Sequence, residues 1–159
     1  MPTPEPRIPT TAGAGPMSYA IFQLARAHRA YAAAMLREMD LHLGQELLLM
    51  QLSDRDGQTQ SELLDSVGLD RSTVSKSLRR MQDAGLLSRE PAAHDRRVMV
   101  VHLTDKGRAM REPLAATWRT LEESSARDLF AQQAQSFVRI AYTIADALNG
   151  RTPPREEPE

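Results

Sequence analysis

The segment 68–104 constrains the fold more than any other part of the chain, because it carries sharp signals for a short helix followed by two strands. Asp70 is a favourable N-cap residue, and Gly85 can adopt the left-handed conformation that ends a helix. Two short apolar stretches follow at 86–89 and 98–103, and the second is rich in β-branched residues. The segment therefore predicts a helix of about 13 residues and then a β-hairpin.

The predicted helix has one apolar face and one polar face. Val74, Leu78 and Met81 form a stripe at helical spacing that should be buried. The opposite face and its flanks carry hydroxyl groups and cations. These residues are Arg71, Ser72, Thr73, Ser75, Lys76, Arg79 and Arg80. Hydroxyls can bind base edges and cations can bind phosphate or guanine, so we predict a helix that enters the DNA major groove. The alternative is an ordinary solvated surface helix.

The turn of the predicted hairpin carries a second group of charged residues, Asp95, Arg96 and Arg97. A guanidinium suits the narrow, electronegative minor groove of DNA. We expect Asp95 to hold an arginine or the amides of the turn through a charge-assisted hydrogen bond. The alternative is an ordinary turn, because aspartate and arginine are common in turns.

The distribution of charge supports a DNA-binding surface, although the total charge does not. The net charge is −1 over 159 residues. Between Arg71 and Arg97, however, seven cations and three anions leave a net charge of +4. A basic patch on a nearly neutral protein is typical of a local nucleic-acid contact.

Helical periodicity covers most of the chain on both sides of this segment. Apolar spacing predicts a long first helix over about 21–39, a second helix over 43–52 and a last helix over 130–148. A capping box at Thr59–Glu62 opens a third helix that should end at Val67. The sequence is therefore mainly α-helical.

A fifth helix should begin after the hairpin, where Thr104 and Asp105 form a cap, and run to about Ser125. Pro113 lies well inside it. Proline lacks a backbone donor, so we expect a bend at this position.

Both ends of the chain are rich in proline and polar residues. Residues 1–16 hold five of the ten prolines, and residues 150–159 are similarly polar. Such segments bury too little apolar surface to fold, so we predict two disordered tails around a single folded domain at 17–149.

Several function classes are disfavoured by composition. The chain has no cysteine, which excludes disulfides, thiolate catalysis and cysteine–zinc sites. The four histidines show no metal-ligand spacing, and no nucleophile–base pattern or phosphate-binding loop is present. We therefore expect no metal, no cofactor and no enzymatic activity. No apolar run is long enough to span a membrane, so we also expect no membrane partner and a cytoplasmic location.

The sequence resembles the MarR (multiple antibiotic resistance regulator) family. Residues 95–104 fit the family's D-x-R-x-x-x-V-x-L-T wing pattern, and Asp105-Lys106-Gly107 continues it. The preceding helix and Gly85-Leu86-Leu87 fit as well. The resemblance extends over roughly 17–149 and also covers the order of the helices.

The resemblance implies a winged helix–turn–helix lobe at 43–103 and helical dimerisation regions at 17–40 and 105–149. It implies a homodimer that binds double-stranded DNA at an imperfect palindrome, commonly as a repressor that a small, often phenolic, effector releases. The recognition helix would carry Ser72, Thr73, Ser75, Lys76 and Arg79. The wing arginine would be Arg97, with Asp95 as its supporting acid.

Two further groups of residues are expected from this arrangement. Apolar positions on the last helix are expected at the dimer interface, namely Phe130, Phe137, Ile140 and Ile144. Polar and aromatic residues on helices bordering the family's ligand cleft are effector-binding candidates, namely His28, Arg29, Tyr31 and Trp118. For the interface residues the alternative is packing within the chain, and for the effector-binding candidates it is ordinary packing or a solvated surface.

One other class of function remains open. A winged helix can bind a protein instead of DNA, and strong salt dependence of binding would distinguish DNA. The chain also departs from the family pattern in its proline-rich N-terminus and in Pro113. Without cysteine, it lies outside the branch that senses oxidants through thiols.

Overall fold

The computed structural model describes residues 8–150 of the chain. Predictions for 1–7 and 151–159 therefore lie outside the described residues. Two compact units divide the chain, one ending at Leu121 and the other beginning at Glu122. The first unit holds most of the helices and the whole sheet, and the second holds the end of the sixth helix and the seventh.

Along the chain, helices precede and follow the predicted helix–turn–helix and β-hairpin, as the sequence predicts. The elements in chain order are α1 (Pro16–Arg37), α2 (Gln45–Asp54), β1 (Gln58–Thr59), α3 (Gln60–Val67), α4 (Arg71–Asp83), β2 (Leu87–Pro91), β3 (Met99–Leu103), α5 (Asp105–Ala109), α6 (Arg111–Ala126) and α7 (Ala131–Asn149). The predicted mainly α fold with a small β wing is confirmed.

The sheet has three antiparallel strands in the order β1-β3-β2. Leu87 pairs with Leu103 and Pro91 with Met99 in the predicted hairpin. The sequence did not predict the remaining strand, β1, in which Thr59 pairs with Val100 of β3. Two residues are too few to show an alternating pattern, so this strand leaves no periodic signal in the sequence.

The core of the first unit lies beneath α4. Val74, Leu78 and Met81 are fully buried, as their helical spacing predicts. They pack in one cluster with leucines of α2, including Leu48, and with Val101 of β3. Burial of this stripe fixes which face of α4 remains on the surface.

Both ends of α4 follow the predicted chemistry. Asp70 caps the N-terminus by accepting a hydrogen bond from the Thr73 amide at 2.9 Å. At the C-terminus, Gly85 adopts φ +74°, and the amide of Leu86 donates to the Met81 carbonyl at 2.9 Å. This pattern is a Schellman stop, which satisfies carbonyls that the helix leaves without partners.

The predicted fifth helix is interrupted instead of merely bent. α5 ends at Ala109 and α6 begins at Arg111, so Pro113 occupies the first turn of a new helix. Proline is tolerated in a first turn because its missing amide hydrogen would have no intrahelical partner there. The chain therefore restarts the helix just before the proline, and the prediction of one helix to Ser125 was wrong at this point.

Regular structure also begins earlier than predicted. Thr10–Ala14 form a short 3₁₀-helix, and Pro16 is the first residue of α1. The amides of Ala12 and Gly13 donate to the Pro9 carbonyl at 2.9 and 3.2 Å. Proline fixes φ near the helical value, which favours both turns. The expected disordered tail through residue 16 is thus corrected for these residues.

Within residues 8–150, no helix is both long and apolar enough to cross a membrane. Nor do the histidine, aspartate and glutamate side chains of this range form a group of three that could hold a metal ion.

Candidate nucleic-acid interface

The outer face of α4 places the predicted hydroxyls and cations on the surface. Arg71, Ser72, Lys76, Arg79 and Arg80 are exposed, whereas Thr73 and Ser75 are half-buried. The exposed cations include Arg71 in the first turn of the helix and Arg80 close to its end. The helix therefore presents a basic strip along its whole length, as the sequence predicts.

The hydroxyls at the start of α4 are organised by the capping residue. Ser72 Oγ donates to Asp70 Oδ1 at 2.8 Å, and Thr73 Oγ1 donates to Asp70 Oδ2 at 2.5 Å. These hydrogen bonds hold the pKa of the Asp70 carboxyl well below its usual range. The Thr73 hydroxyl has the largest effect, followed by the Thr73 amide and the Ser72 hydroxyl. Because these hydroxyl hydrogens point at Asp70, Ser72 and Thr73 present their oxygens as acceptors to an approaching ligand.

Ser75 is positioned by a residue that the sequence analysis did not identify. Gln60, the first residue of α3, donates its Nε2 to Ser75 Oγ at 2.6 Å. An oxygen that accepts from Gln60 leaves the Ser75 hydroxyl hydrogen to donate elsewhere. Ser75 is therefore suited to an acceptor on a base edge or phosphate. A glutamine 15 residues away carries no local sequence signal for this contact.

The tip of the wing is ordered by Asp95. Its Oδ1 accepts from the Arg97 amide at 2.9 Å, and its carbonyl accepts from the Val98 amide at 3.0 Å. Of the two predicted contacts for Asp95, the structure thus shows the one to a turn amide. The side chains of Arg96 and Arg97 are exposed on this turn.

The residues that follow the wing fasten it to the C-terminal end of α4. Thr104 Oγ1 donates to the Gly85 carbonyl at 2.6 Å, and Lys106 Nζ donates to the Ala84 carbonyl at 2.7 Å. Gly107 lies so close to the chain that a Cβ there would be 2.0 Å from the Leu86 carbonyl oxygen. In the Thr-Asp-Lys-Gly run, Thr104 and Lys106 therefore donate hydrogen bonds to carbonyls at the C-terminal end of α4. Gly107 leaves room for the Leu86 carbonyl.

A charged cluster joins the base of the wing to the loop after α2. Asp56 Oδ1 accepts from the Leu103 amide at 2.7 Å, and Asp56 Oδ2 lies 3.1 Å from His102 Nδ1. Partial burial opposes ionisation of Asp56, but the Leu103 amide and the His102 ring outweigh it and lower the pKa of this carboxyl. Glu90 and Arg108 complete the cluster, at 3.1 Å from His102 Nε2 and 3.5 Å from Asp56 Oδ2.

The predicted effector-binding residues do not come together. Trp118 lines a cavity of about 200 Å³ between α2 and α6. His28, Arg29 and Tyr31 are on α1, are exposed and do not line it. The remaining lining residues are Met50, Ser53, Asp54, Arg111, Leu114 and Ala115. The cavity is mainly apolar, with one guanidinium and one carboxylate at its wall.

The predicted interface residues are on α7 in the second unit, where Phe130 precedes the helix as its N-cap. Phe130 is 80% exposed, Phe137 49% and Ile140 52%, while Ile144 is half-buried. No residue of α7 is buried. This helix therefore keeps a long apolar surface in the single chain.

Comparison with known proteins identifies the same lobe. The family model of the MarR family matches residues 39–98. A similar relative is the HTH-type transcriptional regulator MgrA of Staphylococcus aureus, which is 29% identical over 122 residues, 77% of this chain and 82% of the relative.

Solved structures show the same fold at lower sequence identity. A mutant MarR from E. coli complexed with operator DNA has a TM-score of 0.78 and 19% identity, covering 86% of this chain and 99% of that protein. Bordetella bronchiseptica BpsR, whose DNA binding is regulated by 6-hydroxynicotinic acid, has a TM-score of 0.76 and 21% identity, covering 82% and 93%. Over residues 39–98 the chain therefore matches the MarR family, and its fold is similar to that of winged-helix transcriptional regulators of this family.

Proposed function

We propose that the chain is a ligand-responsive repressor that binds a palindromic operator in double-stranded DNA as a homodimer. The observation that carries this proposal is the exposed strip of hydroxyls and cations on α4, next to a wing with two exposed arginines at its tip. This combination matches a helix in the major groove and a turn in the adjacent minor groove.

In this proposal, α4 supplies both direct readout and phosphate contacts. Ser75 and Arg79 reach base edges, with Ser75 acting as a hydroxyl donor because Gln60 occupies its oxygen. Lys76 binds phosphate as a point charge. The flanking cations Arg71 and Arg80 add contacts to the phosphates, whereas Ser72 and Thr73, whose hydroxyl hydrogens bind Asp70, accept from donors on base edges.

The wing tip supplies the second contact. Arg97 enters the minor groove, whose negative potential favours a guanidinium. Asp95 does not touch DNA but shapes the turn through the Arg97 amide. Arg96, which is also exposed, adds positive charge against the phosphates.

The homodimer in this proposal uses the apolar surface of α7. Phe130, Phe137 and Ile140 expose apolar side chains that a second copy would cover, and Ile144 extends the same surface. A two-fold dimer presents two identical reading helices, so its operator should be a palindrome. The two-fold axis of the dimer would therefore coincide with the two-fold axis of the operator.

The cavity at Trp118 is the proposed effector site. Its apolar wall suits a small ring, and Arg111 and Asp54 can orient a polar substituent. BpsR shows that a protein of this fold responds to a small ring compound. His28 and Tyr31, which lie outside this cavity, are no part of the site proposed here. We place the regulator on chromosomal DNA in the cytoplasm.

The test is selection of bound fragments from the source genome, followed by alignment of the enriched sequences. The proposal predicts a palindromic site near a small set of promoters, and reporter expression should rise when the regulator is removed. Enrichment without a two-fold sequence would contradict the dimeric operator. The absence of any enriched fragment would favour the protein-binding alternative.

A further inference from the structure

Both ring nitrogens of His102 face carboxylates. Nδ1 lies 3.1 Å from Asp56 Oδ2, and Nε2 lies 3.1 Å from Glu90 Oε1. An ionised carboxylate only accepts hydrogen bonds, whereas a neutral imidazole carries a proton on one nitrogen alone. The two contacts are therefore favourable together only when the ring carries both protons.

The ring joins three separate pieces of the DNA-binding lobe. His102 is on β3, Glu90 is on β2, and Asp56 is in the loop between α2 and β1. In the strand register His102 pairs with Ser88, so Glu90 is its diagonal neighbour across the hairpin. A doubly protonated ring thus ties both strands of the wing to the helical body.

The groups around the ring hold the Asp56 carboxylate in place. The Leu103 amide holds Asp56 at 2.7 Å, and Arg108 from α5 lies 3.5 Å from the same carboxylate. Arg108 also lies 3.4 Å from Asp105, so its charge is shared between two acids. Gly57 packs against the ring, because a Cβ there would lie 3.1 Å from His102 Cε1.

We propose that His102 is a positioning residue for the wing, and that its doubly protonated form holds the hairpin in the arrangement that binds DNA. The inference rests on the proposed DNA-binding function. Imidazole is the side chain that ordinarily changes charge between about pH 5 and 8. Loss of one proton turns one of the two attractive contacts into a repulsive one, so operator affinity falls as pH rises.

The first experiment needs no DNA. Thermal midpoints of the full chain and its His102→Gln variant are compared at about pH 6 and pH 8, at constant ionic strength, in the range where imidazole titrates. The variant should lower the midpoint by about 2 °C or more at the lower pH, where the ion pairs exist, and by less at the higher pH. An equal difference at both pH values would overturn the proposal.

The second experiment measures affinity for the selected operator over the same range. The operator affinity of the wild type should fall by about threefold to fivefold from the lower to the higher pH, as expected for one partly exposed ion pair. The His102→Gln variant should bind the operator weakly at both pH values. His94→Gln is the matched control, because His94 is exposed in the wing loop and could respond to pH by touching phosphate directly. It should keep the pH dependence of the wild type.

Two further outcomes separate the possibilities. If His94→Gln abolishes the pH dependence and His102→Gln keeps it, the proposal is contradicted. If His102→Gln is poorly folded, Glu90→Gln changes only a carboxylate that is 68% exposed and should weaken the pH dependence without unfolding the chain. A wild type that binds no DNA at either pH contradicts the proposed function, whereas the thermal comparison still tests the His102 contacts.

Discussion

At the scale of the residue, Gly107 shows how a close approach dictates an amino acid. A Cβ at this position would lie 2.0 Å from the Leu86 carbonyl oxygen and 3.1 Å from the Leu103 side chain. The first atom belongs to the backbone between α4 and β2, which cannot shift without moving α4. The glycine of the Thr-Asp-Lys-Gly run is therefore required by packing.

Gly107→Ala should lower the free energy of unfolding by about 2–4 kcal/mol, because overpacking here must displace main chain. Chemical denaturation followed by circular dichroism measures the change. Gly13→Ala is the control, since a Cβ there meets nothing within 4 Å. A Gly107→Ala midpoint equal to that of the wild type would contradict the packing argument.

Asp70 is a second residue whose role is local. Its carboxylate holds one amide and two hydroxyls, and these contacts lower its pKa in the folded state. A group with a lowered folded pKa stabilises the fold above its unfolded pKa and loses that contribution as pH falls through the folded value.

Asp70→Ala should therefore destabilise the chain at neutral pH, and the difference from wild type should shrink in acid, below the ordinary aspartate pKa near 4. Asp70→Asn, which keeps an oxygen that can cap the helix, should be destabilised less. Urea denaturation of the three proteins at several pH values measures this. A difference that grows on acidification would be incompatible with the capping role.

At the scale of the element, the sequence was sufficient to predict a helix end wherever that end is fixed by residues close to it in the chain. The capping box at Thr59, the cap at Asp70 and the stop at Gly85 were all predictable for this reason. The contact of Gln60 with Ser75 and the strand β1 were not predictable, because each depends on tertiary pairing. Pro113 predicted only a bend, because its position in the first turn of a new helix depends on where α5 stops.

The basic strip of α4 can be tested by its response to salt. If Lys76 binds phosphate, Lys76→Ala should lower operator affinity. It should also reduce the slope of log affinity against log salt concentration by about 1, because one counterion fewer is released. Titrations over a series of salt concentrations measure the slope. Arg127→Ala, which removes an exposed cation outside the DNA-binding lobe, should leave the slope unchanged. A changed base preference with an unchanged slope would instead make Lys76 a reader of bases.

At the scale of the whole molecule, α4 and the β-hairpin were predictable from motif and periodicity together, whereas the lining of the cavity beside Trp118 was not. Trp118 reaches a cavity, but its partners come from α2 and from the start of α6, not from α1. Which helices border a cavity depends on tertiary packing, and apolar spacing alone does not encode it. The exposed apolar surface of α7 likewise has no explanation within one chain.

Light scattering should give twice the 17.7 kDa mass of one chain at micromolar concentration. Phe137→Glu should shift the protein toward the monomer, because a carboxylate would be buried without a partner in the apolar interface. Glu123→Gln, at an exposed position on α6, is expected to stay dimeric. A wild-type mass of one chain would remove the two-fold operator argument.

The DNA-binding role of the wing is tested by titration of the selected operator with wild type, Arg97→Ala and Arg127→Ala at two salt concentrations. We expect affinity to fall steeply with salt, and Arg97→Ala to lose about 1–3 kcal/mol of binding free energy while Arg127→Ala loses none. Equal affinities for all three proteins, with Arg97→Ala correctly folded, would contradict the assignment of the wing to the DNA minor groove.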